Sequence, residues 1–200
     1  MSVRLRTRRS AAVLLGAALL AAATACGPTD NSVATSPKST AAAPAAGGGG
    51  GSAPAADAKA PAVAKTGDTI ALKGTEKGNT ADVTVVKVVD NAKGADEYTR
   101  PAAGKRYVTV QFRIKATGTA AYSDSPHNSA KLVDSQGQNF EATIAETDAG
   151  PEFPVPLAIA PGDSALGCVT FEVPADAKLD KAQFTLDSGF AQQAGQWKLS

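Results

Sequence analysis

Few side chains in this 200-residue sequence are placed to do chemistry. His127 is the only histidine, which leaves no material for a His-based dyad, triad or multi-His metal site. Its place after Pro126 in a Ser-rich stretch predicts a solvent-facing loop residue. Cys168 has no Cys or His neighbour at the spacing of a zinc site. The glycine run at 47–51 lacks the Lys that follows, and the strand that precedes, a phosphate-binding loop. No Gly-x-Ser-x-Gly nucleophile elbow occurs. Asp124, Asp134, Glu146, Asp148 and Glu152 fall in predicted loops, where a calcium ion could gather oxygen ligands. Their spacing matches no EF-hand, however, and loop acids ordinarily keep a surface soluble. No carboxylate pair is singled out for glycoside hydrolysis. The expectation is a protein that is not an enzyme and uses no cofactor or metal. One thiol remains whose neighbours give it a role, that of Cys26.

Arg4, Arg6, Arg8 and Arg9 come first, with no acid before Asp30. An apolar run over 11–23, broken only by Gly16, leads through the small residues Ala23, Thr24 and Ala25 to Cys26. A basic segment, a short apolar segment and a small-residue cleavage site make a secretory signal peptide, assigned to residues 1–25. The run is too short for a bilayer core of roughly 30 Å, which needs about 20 residues. Arg8-Arg9 touches the twin-arginine signature, but a pair forms easily among four arginines, and general secretion is the preferred route. Thr24-Ala25-Cys26-Gly27 resembles the lipobox of bacterial lipoproteins, with Ala23 where Leu is commoner. That resemblance implies a diacylglyceryl group on the Cys26 sulfur and cleavage that leaves Cys26 first. Two acyl chains anchor stably where one binds only marginally. The membrane is thus the expected partner through Cys26, at the extracytoplasmic face of a bacterial cell membrane.

The chain holds 20 basic and 19 acidic residues, and residues 1–25 carry four of the arginines and no acid, leaving 16 against 19. Such a mild balance gives no basic footprint for nucleic acid. With Cys26 acylated, Cys168 has no partner within the chain, although export favours disulfides. It is expected as a small covered residue on a strand, with a disulfide between two copies as the alternative. Residues 26–66 are Ala, Gly, Pro, Ser and Thr with no aromatic, too poor in apolar surface to offset the entropy of ordering. They read as a disordered tether, about 35 Å across as a coil and on the order of 130 Å when stretched.

Patterned sequence fills 67–200. Ile70 and Leu72 alternate with polar residues as a first strand. Val83 and Val85 share one phase and Val86 and Val88 the other, which predicts a β-bulge near Val85-Val86. From Arg106 to Thr117 the period is two: Val108, Val110, Phe112, Ile114 and Ala116 face a core, while Tyr107, Thr109, Gln111, Arg113 and Lys115 face water. Leu132-Val133 and Phe140-Ala142-Ile144 flank a turn at Asp134-Ser135-Gln136-Gly137. Pro151, Pro154 and Pro156 exclude a central strand between them. Val169, Phe171 and Val173 form another strand, as do Phe184 with Leu186 and Trp197 with Leu199. Of the aromatics in predicted loops or near the C-terminus, Phe190 and Trp197 are expected to plug the core ends. Gathered at one end, Tyr98, Tyr122, Phe153, Phe190 and Trp197 could instead form a contact patch. About seven short strands without an amphipathic helix make an all-β antiparallel sandwich.

Three stretches carry a family resemblance. They are Ala103-Gly104-Lys105-Arg106-Tyr107-Val108-Thr109-Val110-Gln111-Phe112, the turn segment from Leu132 to Phe140, and Pro161-Gly162-Asp163-Ser164 with Gly167 and Val169 to Pro174. Together they resemble domain-of-unknown-function family 4352, with Ala116 standing where Asn is common. The resemblance covers roughly 67–199 and implies an immunoglobulin-like sandwich on secreted or lipid-anchored bacterial proteins, similar to an immunoprotective-antigen fold. It supplies no catalytic or binding residue. The resulting expectation is a cell-surface lipoprotein displaying a non-catalytic domain for protein or envelope interaction. A lipoprotein that binds a small ligand or metal ion is the alternative, and a hydrolase a more distant one.

Overall fold

The computed structural model describes residues 32–38 and 63–199. The signal segment 1–25, Cys26 and the greater part of the expected tether lie outside the described residues. The strands are β1 (Ser32–Ala34), β2 (Thr69–Lys73), β3 (Thr80–Ala92), β4 (Lys105–Ala116), β5 (Tyr122–Asp124), β6 (Ala130–Asp134), β7 (Asn139–Thr143), β8 (Leu157–Ile159), β9 (Ser164–Pro174), β10 (Leu179–Thr185) and β11 (Gln193–Lys198). One helical turn, α1 (Pro126–Ser129), precedes β6. Hydrogen bonding runs β1-β11-β10-β6-β7 through one sheet and β7-β9-β4-β3-β2 through the other. Strand β7 belongs to both, pairing Asn139 to Glu141 with β6 and then Ala142 and Thr143 with β9. The result is an antiparallel, immunoglobulin-like sandwich, with β5 and β8 as a separate pair.

Period-two patterning builds the core. Val108, Val110, Phe112 and Ile114 of β4 are fully buried beside Val83 and Val85 of β3 and Val169 and Phe171 of β9. The facing sheet contributes Leu132, Phe184 and Trp197. Phe112 and Phe184 lie with ring centroids 5.2 Å apart and planes tilted by 56°, within the range that aromatic pairs prefer. The predicted bulge is present, since the β3–β4 register shifts between Val85 and Lys87.

Four expectations are corrected. Tyr107 and Thr109 do not face water, because the chain around 145–149 crosses the outer side of β4. There Thr109 Oγ1 lies 2.9 Å from Thr147 Oγ1 and 3.1 Å from Thr170 Oγ1. Arg113 and Lys115, beyond that cover, remain exposed. Ile144 lies outside β7 and is 92% exposed. Phe190, expected in the core, is 85% exposed: it follows a turn in which Asp187 and Ser188 have φ of 56° and 54°.

The fourth correction concerns the tether. Ser32, Val33 and Ala34 pair in parallel with Gln193, Ala194 and Gly195. Ala64 N donates to Thr35 O at 2.6 Å, Lys38 N to Thr69 O at 2.7 Å, and Lys38 Nζ to Asp82 Oδ2 at 2.5 Å. Low apolar content disfavours self-contained folding of this stretch. It does not prevent three residues from satisfying the backbone groups that the edge of β11 leaves open.

Candidate functional site

Residues that the sequence scatters over loops converge beside α1. Pro126 opens this turn with the fixed φ that suits a first helical position. Ser125 O accepts from the amides of Asn128 and Ser129 at 3.0 and 3.2 Å. The turn brings His127 inward rather than to solvent, and its side chain is 11% exposed. Facing it is Glu152, 15% exposed, with its Oε2 3.6 Å from His127 Nε2.

Glu152 is held by a backbone seam on β9. Cys168 N donates to Pro151 O at 2.9 Å and Phe153 N to Cys168 O at 3.3 Å. The Phe153 ring lies over Gly167, where a Cβ would come within 2.5 Å of it. Any larger residue at Gly167 displaces this aromatic wall. Phe153, Val155, Ile144 and Ala142 give the site its apolar sides, around a cavity of about 530 Å³. His127 Nδ1 and Nε2 and Glu152 Oε1 are buried there without a hydrogen-bond partner.

Three of the other acids considered for calcium are spent on local structure, and Glu146 is exposed. Asp124 Oδ1 accepts from Ser125 N at 2.7 Å and Ser188 Oγ at 2.6 Å, and its Oδ2 from Ser129 Oγ at 3.0 Å. Asp134 Oδ1 accepts from the amides of Gln136 and Gln138, and Asp148 Oδ1 from Lys93 N. Among the described residues, no group of three or more His, Cys, Asp or Glu side chains is placed to hold a metal ion. Burial, followed by the nearby Asp124 charge, raises the Tyr122 phenol above its ordinary value.

Cys168 is covered on its strand as expected, with no exposed surface. Burial pushes its thiol up, against Lys87 and a hydrogen bond from Gln111. A protonated, covered thiol is a poor nucleophile and is not presented to a second copy. The alternative of an aromatic patch does not form: Tyr122, Phe153 and Trp197 are buried, while Tyr98 and Phe190 are exposed. No sequence motif signals the meeting of His127 with Glu152, because 24 residues lie between them and the turn that carries His127 is only four residues long.

A family model described as Domain of unknown function (DUF4352) matches residues 72–194. No curated protein matches the chain. Among solved structures, ycdA from Bacillus subtilis, described as a candidate lipoprotein, is 14% identical at a TM-score of 0.47. That match covers 64% of this chain and 38% of ycdA, so the chain spans well under half of that protein. The secreted protein MPT63 from Mycobacterium tuberculosis is 14% identical at a TM-score of 0.48, covering 67% of this chain and 94% of MPT63. The yjhA protein from Bacillus subtilis is 13% identical at 0.47, covering 69% of this chain and all of yjhA.

Proposed function

The chain belongs to the DUF4352 family, and from that premise we propose that it is a lipid-anchored protein of the extracytoplasmic face. On this reading it presents a non-catalytic sandwich to a protein or envelope partner. The observation that carries the reading is Thr24-Ala25-Cys26-Gly27 at the end of a basic and then apolar leader. Diacylation at Cys26 supplies stable membrane attachment. The non-catalytic part is supported by the use of the reactive groups: Asp124 and Asp134 brace turns, and Cys168 is covered.

Strand β1 changes what the anchor does. Only residues 27–31 separate Cys26 from Ser32, which is already paired to β11. Such a span reaches at most about 20 Å. The domain is therefore held close to the bilayer while β1 is docked, not set at the end of a 40-residue spacer.

Detergent-phase partitioning tests the anchor. Wild-type protein is expected in the detergent phase and Cys26→Ser in the aqueous phase and the medium. Equal partitioning of the two would overturn the reading. A second reading, binding of a small ligand, is favoured by the cavity at His127 and Glu152.

A further inference from the structure

We propose that the cavity beside α1 binds a small organic cation with an apolar body, a protonated amine or amidine. This deepens the ligand-binding reading and does not depend on the anchor at Cys26. The cavity, at about 530 Å³, falls in the range of small-molecule sites, roughly 300–1,000 Å³. Its walls are of the kind such sites use, apolar surface with a few convergent polar groups.

Charge selects the ligand. Among the described residues, the lining includes two carboxylates, Glu141 and Glu152, and no Lys or Arg. Glu141 is already compensated, with Lys131 Nζ 2.9 Å from its Oε1. Glu152 faces only the imidazole at 3.6 Å, and its Oε1 has no partner. The cavity therefore sets the Glu152 carboxylate beside the His127 ring, and a buried carboxylate oxygen left unpaired is costly. A head group carrying N–H donors and a positive charge compensates the Glu152 carboxylate through a charge-assisted hydrogen bond. An anion meets Glu152 unfavourably, and a plain hydrocarbon leaves its carboxylate unpaired. The alkyl or aryl body of the cation then lies against Phe153 and Val155. Val155 and Ile144 are 63% and 92% exposed, an exposure that a ligand body would reduce.

Isothermal titration of the whole exported chain carrying Cys26→Ser tests this, with hexylammonium and benzamidinium as probes and hexanoate and hexanol as controls of matched size. Saturable binding of a cation is expected, with neither control matching it. Glu152→Gln keeps the side-chain shape and removes the charge, and it should weaken the cation by about tenfold or more. His127→Ala should weaken it as well. Unchanged near-ultraviolet circular dichroism certifies the fold of each variant, and Glu141→Gln serves as a second charge control with a smaller expected effect. Failure of both cations to saturate, equal binding of hexanoate or hexanol, or cation binding unmoved by Glu152→Gln overturns the proposal. Cation binding by the Cys26→Ser chain, alongside a wild-type chain that carries no lipid, would sink the anchor alone.

Discussion

Replacing Trp197 with Ala is expected to cost about 3–5 kcal/mol, the range for truncating a fully buried large aromatic. The side chain has no exposed surface, and its indole Nε1 donates to Asp68 O at 2.9 Å. A Cβ on Gly195 would come within 2.8 Å of the ring, so the absence of a side chain there admits it. Truncation thus removes apolar burial, opens a cavity and orphans a carbonyl. It does so on β11, the strand that holds β10 on one side and β1 on the other. Typical domains have only about 5–15 kcal/mol of stability in total, so this one change removes a large share. Urea unfolding followed by circular dichroism is the measurement, because the variant loses the only tryptophan fluorophore. Trp197→Phe, which keeps much of the volume but not the N–H, should cost less. An unchanged midpoint for Trp197→Ala would show that the core does not lean on Trp197.

Arg106→Met should be the next most damaging substitution considered, at about 2–3 kcal/mol. The guanidinium donates to Pro174 O at 2.5 Å and Ala177 O at 2.9 Å, and its Nε to Asp90 Oδ1 at 2.6 Å. Arg106 is 9% exposed, whereas the Asp90 side chain is 51% exposed. The ion pair is therefore largely screened and contributes on the order of 0–1 kcal/mol. Most of the expected loss comes from the guanidinium's hydrogen bonds to Pro174 O, which keeps the Ala177 amide as a donor, and to Ala177 O just past β9, bonds that methionine cannot make. Hydrogen bonds that involve a charged group contribute about 1.5–3 kcal/mol each, less where water can replace the donor. The two sources separate cleanly: Asp90→Asn should cost less than about 1 kcal/mol in the same urea titration. Comparable losses for the two variants would reverse the assignment and make the salt bridge the larger contribution.

Strand identity was legible wherever one face packs and the other is wet. The alternation from Val108 to Ala116 predicted β4, and the phase slip at Val85-Val86 predicted its bulged neighbour. Period-two reasoning failed where a loop supplies a second cover. Tyr107 and Thr109 carry no signal that Thr147 and Ala149 lie over them. It also failed at Phe190, where size suggested the core and a left-handed turn at Asp187-Ser188 places the ring outside. Composition misread Ser32 to Ala34 because an added edge strand draws on backbone hydrogen bonds, which side-chain hydrophobicity does not report. The cavity was invisible for a related reason. His127 and Glu152 each fall between strands, and only the seam of Pro151 and Phe153 on Cys168 turns Glu152 toward α1.

The docked β1 gives the proposed anchor a mechanical meaning that the sequence alone did not. Three pairs and a few loop hydrogen bonds hold that contact. Its strength therefore depends on β11 remaining in place, which again depends on Trp197.

Everything about placement returns to one sulfur. Metabolic labelling with a clickable fatty-acid analogue, read on wild-type protein and on Cys26→Ser, tests the lipid anchor most directly. Label on the wild-type chain with Cys26 as its first residue, and none on Cys26→Ser, is the predicted result. A wild-type chain that takes up no label, or label that persists in Cys26→Ser, would contradict it.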